Sequence, residues 1–197
     1  ADGVELSVKG RFNPREQSYD AAIRADSFPL NSFLPADSLG IVDLTLQARG
    51  TGFDPLLPRT RTSLRAQIDR AEFGGRDFGG IELDAELDSQ RLSGRISDRD
   101  EALRLLLSVS GTLTEREQRI GLSGSVFGFD LAALGVSPEP IGGSFALDAS
   151  ASAAGKGAYA ARIALDSIEI RNKHRTDRIR PTSVSLHTDS AATRAEA

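Results

Sequence analysis

Between positions 81 and 88 the chain reads IELDAELD, apolar at every odd position and acidic at every even one. A strand sends successive side chains to opposite faces, so this two-residue beat predicts a β-strand with one apolar and one wet face. Leu103, Leu105, Leu107, Val109 and Leu113 keep the same beat, and it recurs over 4–12, 18–27, 41–50, 63–73, 91–97, 119–127, 143–153, 158–170 and 183–189. Short turns rich in Gly, Asp, Asn and Arg separate the runs, which favours antiparallel hairpins over crossover helices. Helix is expected only in two short apolar segments, LNSFL at 30–34 and LAALG at 131–135, each following a phenylalanine.

The pattern occurs twice. SVKGRFNPREQ at 7–17 returns as SVSGTLTEREQ at 108–118, with six of eleven residues identical at an offset of 101. Along that offset Tyr19, Ala21, Ile23 and Ala25 fall on Ile120, Leu122, Gly124 and Val126, and FPLNSFLP at 28–35 falls on FDLAALGV at 129–136. Leu44, Leu46 and Ala48 fall on Phe145, Leu147 and Ala149, so the apolar phase is kept. The offset drops to 97 where RAQIDRAEF at 65–73 meets RIALDSIEI at 162–170, and returns to 101 at Asp88-Ser89 against Asp189-Ser190. A connection near 50–63 is therefore shorter in the second copy, and the turn holding NKHRT is longer than the GGRD turn of the first. The chain reads as a first β repeat over 1–101 and a second over 102–197, continuous with it.

An apolar sheet face must be covered. A second sheet would give two sandwich domains of about 100 residues each; the same sheet curled on itself would give a long apolar groove. The groove is favoured by the absence of Trp, by the lack of a Pro- or Gly-rich linker between the copies, and by small residues in the apolar phase. Ala48, Gly94, Gly111, Gly124, Ala149 and Ala151 leave room and let a sheet bend. The expected fold is all-β, an elongated curved antiparallel sheet groove built from two tandem repeats. Its lining in the first copy is expected to be Val42, Leu44, Leu46, Leu64, Ile68, Ile81, Leu83, Leu87, Leu92 and Ile96. In the second copy it is expected to be Leu103, Leu105, Leu107, Val109, Ile120, Leu122, Val126, Phe145, Leu147, Ile163 and Leu165. Leu106 falls out of phase, on the outer face with Arg104, Ser108 and Ser110.

Composition narrows the function. The longest leucine run, Leu105 to Leu107, is far short of the roughly 20 apolar residues of a membrane helix. Twenty-four basic against 28 acidic residues, a net charge of −4, argues against nucleic acid as a partner. The absence of cysteine excludes a disulfide framework and thiol chemistry, and is compatible with an oxidising compartment. With no methionine, even at position 1, and no apolar signal region, the chain reads as a segment of a longer polypeptide.

Four features invite a chemical reading. The ladder Glu82, Asp84, Glu86, Asp88 spaces carboxylates about 6.8 Å apart on one strand face, which reads as a solvated face, since a calcium loop gathers its oxygens in a Gly-containing turn. The cluster Arg171, Lys173, His174, Arg175, Arg178, Arg180 reads as an exposed hairpin end, with lipid phosphate contact as the competing reading. GKG at 155–157 lacks the other residues of a phosphate loop and reads as a hairpin turn. His174 and His187, the only histidines, lie in no nucleophile motif. No catalytic, metal or cofactor site is expected, and the chain is read as a non-enzyme.

The run RAQIDRAEFGGRDFGGIELDAELDSQRLSGRISDRDEALRLLLSVSGTL at 65–113, followed by FDLAALG at 129–135, resembles the periplasmic repeat region of the TamB family. That family is the inner-membrane component of the translocation and assembly module, within the AsmA-like superfamily. The resemblance implies a β-taco-like groove in the periplasm of a diderm bacterium, within a parent chain anchored in the inner membrane. It implies phospholipid transport between the inner and outer membranes, with support of outer-membrane protein assembly. The implied partners are phospholipid acyl chains, adjacent repeats of the parent chain and, through a C-terminal part missing here, an outer-membrane barrel assembly partner. The alternative is a tandem β-sandwich adhesin or carbohydrate-binding module. Sugar sites favour exposed aromatic platforms, whereas Tyr19 and Tyr159 both sit in the apolar phase.

Overall fold

A computed structural model describes residues 4–32, 39–73, 75–154, 158–188 and 193–196. The alternating runs form β1 (Glu5–Asn13), β2 (Ser18–Pro29), β3 (Leu39–Thr51), β4 (Arg61–Phe73), β5 (Arg76–Phe78), β6 (Ile81–Asp88) and β7 (Arg91–Arg99). They continue as β8 (Leu103–Leu113), β9 (Glu117–Asp130), β10 (Gly142–Ala154), β11 (Ala158–Arg171), β12 (Thr176–Ile179), β13 (Thr182–Thr188) and β14 (Thr193–Glu196). All fourteen belong to one antiparallel sheet whose edges, β1 and β14, do not pair with each other. The order is an up-and-down meander with two side branches. β5 folds back onto the last residues of β4 (Ala71↔Phe78), and β12 onto the last residues of β11 (Ile168↔Ile179), so β6 and β13 pair with the remainder.

The helix expected at 131–135 is instead a single hydrogen-bonded turn. The Asp130 carboxylate accepts the N–H groups of Ala132 and Ala133 at 2.8 and 3.1 Å, capping the turn at once. Val136 N–H reaches Leu131 O at 2.8 Å and Gly135 N–H reaches Ala132 O at 3.1 Å, with Gly135 at φ 75°. That is a Schellman closure, and it ends the segment before propagation can offset the cost of nucleation. Of 30–34, Leu30–Ser32 is a 3-10 turn and the rest lies outside the described residues, as does GKG at 155–157.

One end of the sheet carries bulges at corresponding places along β2 and β9 and along β4 and β11. In β2 the register passes from Ala25↔Leu44 to Phe28↔Val42, and in β9 from Val126↔Phe145 to Phe129↔Gly143. In β4 it passes from Ile68↔Leu44 to Ala71↔Val42, and in β11 from Asp166↔Ala146 to Glu169↔Ser144. Each extra residue reverses the side-chain parity beyond it and so returns Phe28, Phe129 and Ile168 to the apolar face. At the opposite end the β1–β2 and β8–β9 hairpins are tight, while β3 and β4 are joined by the longer 52–60 connection. Asn13 Oδ1 accepts Arg15 and Glu16 N–H between β1 and β2, and Thr114 Oγ1 accepts Glu117 N–H between β8 and β9.

Among the described residues no second sheet or helix layer covers this sheet. The chain exposes 13507 Å², against about 9,000 Å² for a compact monomer of its 21.0 kDa mass. Among the described residues no large side chain falls below 2 % exposure, and the core is thin: Ala25, Val42, Leu107, Val126 and Ile168 are its most buried apolar members besides Ala102.

Candidate functional site

Register turns the strand parity into continuous rows across the sheet. One row runs Val8, Ile23, Leu46, Ala66, Leu83, Ile96, Leu107, Gly124, Leu147, Leu165, from β1 to β11. The next runs Ala21, Ala48, Leu64, Ala85, Gly94, Val109, Leu122, Ala149, Ile163 and on to Val184 of β13. Toward the bulged end lie Val42, Leu44, Ile68, Ile81, Leu103, Leu105, Val126 and Phe145; toward the tight hairpins lie Leu87, Leu92 and Ile120. Every residue expected to line the groove therefore stands on one face. Glycines let the strands meet closely beneath these side chains: a Cβ on Gly124, at φ 153°, would lie 2.1 Å from Leu106 O.

The rows are unequally covered. From β3 to β8 the large apolar members are half-buried or buried, and none is among the exposed hydrophobics. Outside that stretch Leu6, Val8 and Phe12 on β1 and Ile163, Val184 and Leu186 on β11 and β13 are exposed. A buried carboxylate stands in the apolar phase. Asp98, opposite Leu105, is only 5 % exposed and closes the β7–β8 hairpin by accepting Asp100 N–H at 2.8 Å. Burial pushes its carboxyl above the ordinary value, against the lowering effect of the backbone N–H bonds.

The polar face is a lattice of ion pairs in its N-terminal half. The acid ladder of β6 lies between arginine columns: Arg61 and Arg65 of β4 pair with Asp88 and Asp84 at 2.9 and 2.6 Å, and Arg91 and Arg95 of β7 stand opposite the same two acids. The Ser89 hydroxyl, then Arg61, hold Asp88 below the usual carboxylate range. Among the described residues no three His, Asp or Glu side chains gather as a metal site. In the C-terminal half the polar face is largely serine, with Ser110, Ser123, Ser150 and Ser185 among its members. The clefts take their linings mostly from this face. One of about 670 Å³ involves Arg11, Asp20, Arg49, Arg61 and Glu86; one of about 480 Å³ involves Glu82, Arg95, Arg104, Leu106 and Phe127. No hydrogen bond joins a histidine to a serine among the described residues.

Leu106 stands on this polar face, 37 % exposed, while Leu107 beside it is 8 % exposed on the other. Sequence reasoning missed Asp98, the exposed Phe127 at the β9 bulge, and Phe53. Phe53 stacks on Tyr19 at 5.5 Å between ring centroids and meets Phe12 at 5.6 Å, folding the 52–60 connection over the apolar face. A phenylalanine in a Gly- and Pro-rich connection is the signal that was there to be read. Comparison with family models, curated proteins and solved structures finds no match to this chain.

Proposed function

We propose that the apolar face is a path for phospholipid acyl chains, within a periplasmic segment of TamB-like kind that carries phospholipid between inner and outer membranes. The observation that carries this reading is an apolar face continuous in register from β1 to β13, over which the described residues place no second sheet and only the 52–60 connection. The twelve strands of the main path span roughly 50 Å at about 4.8 Å per strand, longer than the about 30 Å hydrocarbon core of a bilayer. Each methylene shielded on such a face contributes about 0.8 kcal/mol, and headgroups stay in water at the rim. The matched bulges of β2 with β9 and β4 with β11 support reading the chain as two copies of one unit curved into a groove, a device that lengthens the path in proportion to copy number. In this reading the parent chain is anchored in the inner membrane, adjacent repeats extend the path, and a barrel partner receives its far end. Two closed sandwich domains, the form expected for an adhesin, do not fit a single sheet.

The test is photo-crosslinking of phospholipid to the chain carrying Leu107→Asp, with Ser108→Asp as the control on the polar face. Circular dichroism and thermal melting report folding, and Leu83→Asp repeats the test at a half-buried position where a charge disturbs packing less. Loss of crosslinking in the folded apolar-face variants alone is expected. Equal crosslinking by folded Leu83→Asp, Ser108→Asp and the parent chain overturns the reading.

A further inference from the structure

Where β7 passes into β8, the polar face carries charge that nothing nearby answers. The arginines of β4 meet acids: Arg61, Arg65 and Arg70 pair with Asp88, Asp84 and Asp77 at 2.9, 2.6 and 3.1 Å. At the β7–β8 hairpin, in contrast, Arg99 stands directly opposite Arg104 in register and so on the same face. Both are exposed, and neither side chain has an ion pair or hydrogen bond among the described residues. Like charges directly opposite one another destabilise a strand pair. Arg95, four residues before Arg99 on that face, is in the same condition, because the acid across from it, Asp84, is taken by Arg65. The Arg104 guanidinium lies over Gly128, where a Cβ would be 3.1 Å from Nη2.

Two large apolar side chains stand among these arginines. Leu106, two residues from Arg104 in β8, is 37 % exposed, and Phe127, the extra residue of the β9 bulge, is 57 % exposed. Arg95, Arg99, Arg104, Leu106 and Phe127 line one cleft, of about 480 Å³, so the basic and the apolar groups border the same space. Glu82 closes the cleft on the β6 side, its carboxylate engaged only by the Ser97 hydroxyl at 3.5 Å.

The geometry points to a binding site for a small aryl carboxylate, its carboxylate held between Arg99 and Arg104 and its ring against Phe127 and Leu106. A carboxylate accepts bidentately from a guanidinium and relieves the repulsion between the two arginines. An aromatic ring packs offset or edge-on against Phe127 and takes both exposed side chains out of water. Glu82 opposes a second negative charge, which selects a carboxylate over a phosphate monoester. A cleft of this volume is about 8 Å across, about half the 15 Å that an acyl chain covers in one leaflet, so it suits a single ring and not a lipid. The inference uses the polar face, so it stands apart from the acyl-chain reading.

The test is titration of the 197-residue chain, methyl-labelled at leucine, with 3-phenylpropionate at about pH 8. The Leu106 methyl signals are expected to shift and saturate, while those of Leu107, Leu83 and Leu46 stay in place. Acetate, 3-phenylpropan-1-ol and phenyl phosphate, a dianion at this pH, are each expected to bind at least about tenfold more weakly. Arg104→Gln and Phe127→Ser each weaken binding of 3-phenylpropionate about tenfold. Arg162→Gln, at an exposed arginine elsewhere on the polar face, keeps the parent affinity. Because Arg104→Gln also removes the like-charge pair, its Tm without ligand is expected at or above that of the parent, which separates loss of binding from loss of fold. Shifts at the apolar-face leucines in place of Leu106, binding of the alcohol or the phosphate as tight as that of the carboxylate, parent affinity in both site variants, or a Tm of Arg104→Gln below the parent's overturns the proposal. Failure of the acyl-chain reading would leave all of these results unchanged.

Discussion

The N-terminal and C-terminal halves of the sheet carry bulges at similar places but finish the opposite end differently. In the first half the Tyr19 ring lies across Gly50, its hydroxyl 2.7 Å from Thr62 Oγ1, and Phe53 stacks on it from the 52–60 connection. That connection is itself fixed: Thr60 is 2 % exposed and Gly52 turns at φ 75°. In the second half Ile120 takes the place of Tyr19 and Ala151 that of Gly50, β10 and β11 are joined by three residues, and Ile120 and Tyr159 are exposed. The Tyr19 ring is thus half-buried under Phe53, which is itself exposed along with Phe12, whereas Ile120 and Tyr159 at the other end are exposed. The difference lies in connection length and in one tyrosine–glycine pair. Alternation decides which face is apolar; the connections decide how much of it meets water.

Removing the cover is the strongest way to break this comparison. Tyr19→Ala deletes the ring over Gly50, its hydroxyl bond and the stack with Phe53, and is expected to cost about 3 kcal/mol, a fall of about 9 °C in Tm. Tyr159→Ala, at an exposed site, is expected to cost less than about 0.5 kcal/mol. Thermal melting of the two variants checks the pair, and equal losses would make the cover irrelevant.

A smaller effect sharpens the same contrast. A Cβ on Gly50 would lie 2.3 Å from Arg61 O and 2.9 Å from the Tyr19 ring, so Gly50→Ala forces strand or ring to move at a cost of about 2 kcal/mol. Ala151→Gly loses only backbone restriction, about 0.7 kcal/mol. Denaturant midpoints read both. In Tyr19→Ala the cost of Gly50→Ala shrinks but persists, because the Arg61 carbonyl remains.

The smallest effect concerns Asp98, where β7 passes into β8 and the halves join. Its folded-state pKa is raised above the ordinary 3.8 by burial, so the folded chain holds a proton that the unfolded chain has released. That stabilisation is present below the unfolded value and is lost as pH rises through the folded one. Asp98→Asn keeps an oxygen for the Asp100 N–H and removes the titration. The variant is expected to match the parent at about pH 4 and to exceed it in Tm at pH 7. Curves that stay parallel across this range would show that burial does not govern Asp98.

How far this was legible follows from the physics of each element. The long strands were readable because burial of one face imposes a two-residue beat, as in IELDAELD. β5 and β12 were not, since three or four residues that pair only with the end of a neighbouring strand need no periodicity. The bulges were hidden for a related reason. They reverse parity, so Ile168, which lies in the break and pairs with Ile179 of β12, is outside the phase of Ile163 and Leu165 although it is the better buried. LAALG looked helical by composition, yet Asp130 and Gly135 cap it from both ends within one turn. The apolar rows were legible residue by residue, while their covering by Phe53 depended on a connection whose path no pattern encodes.

Leu106 and Leu107 offer the most direct measurement, being the same residue type on adjacent positions and opposite faces. In a methyl-labelled chain titrated with phospholipid carrying a nitroxide on its acyl chain, the methyl signals of Leu107, Leu83, Leu46 and Leu147 are expected to broaden. Those of Leu106 should stay sharp. Broadening of Leu106 to the same degree, or none at any of the apolar-face leucines, would contradict the claim that this face carries acyl chains.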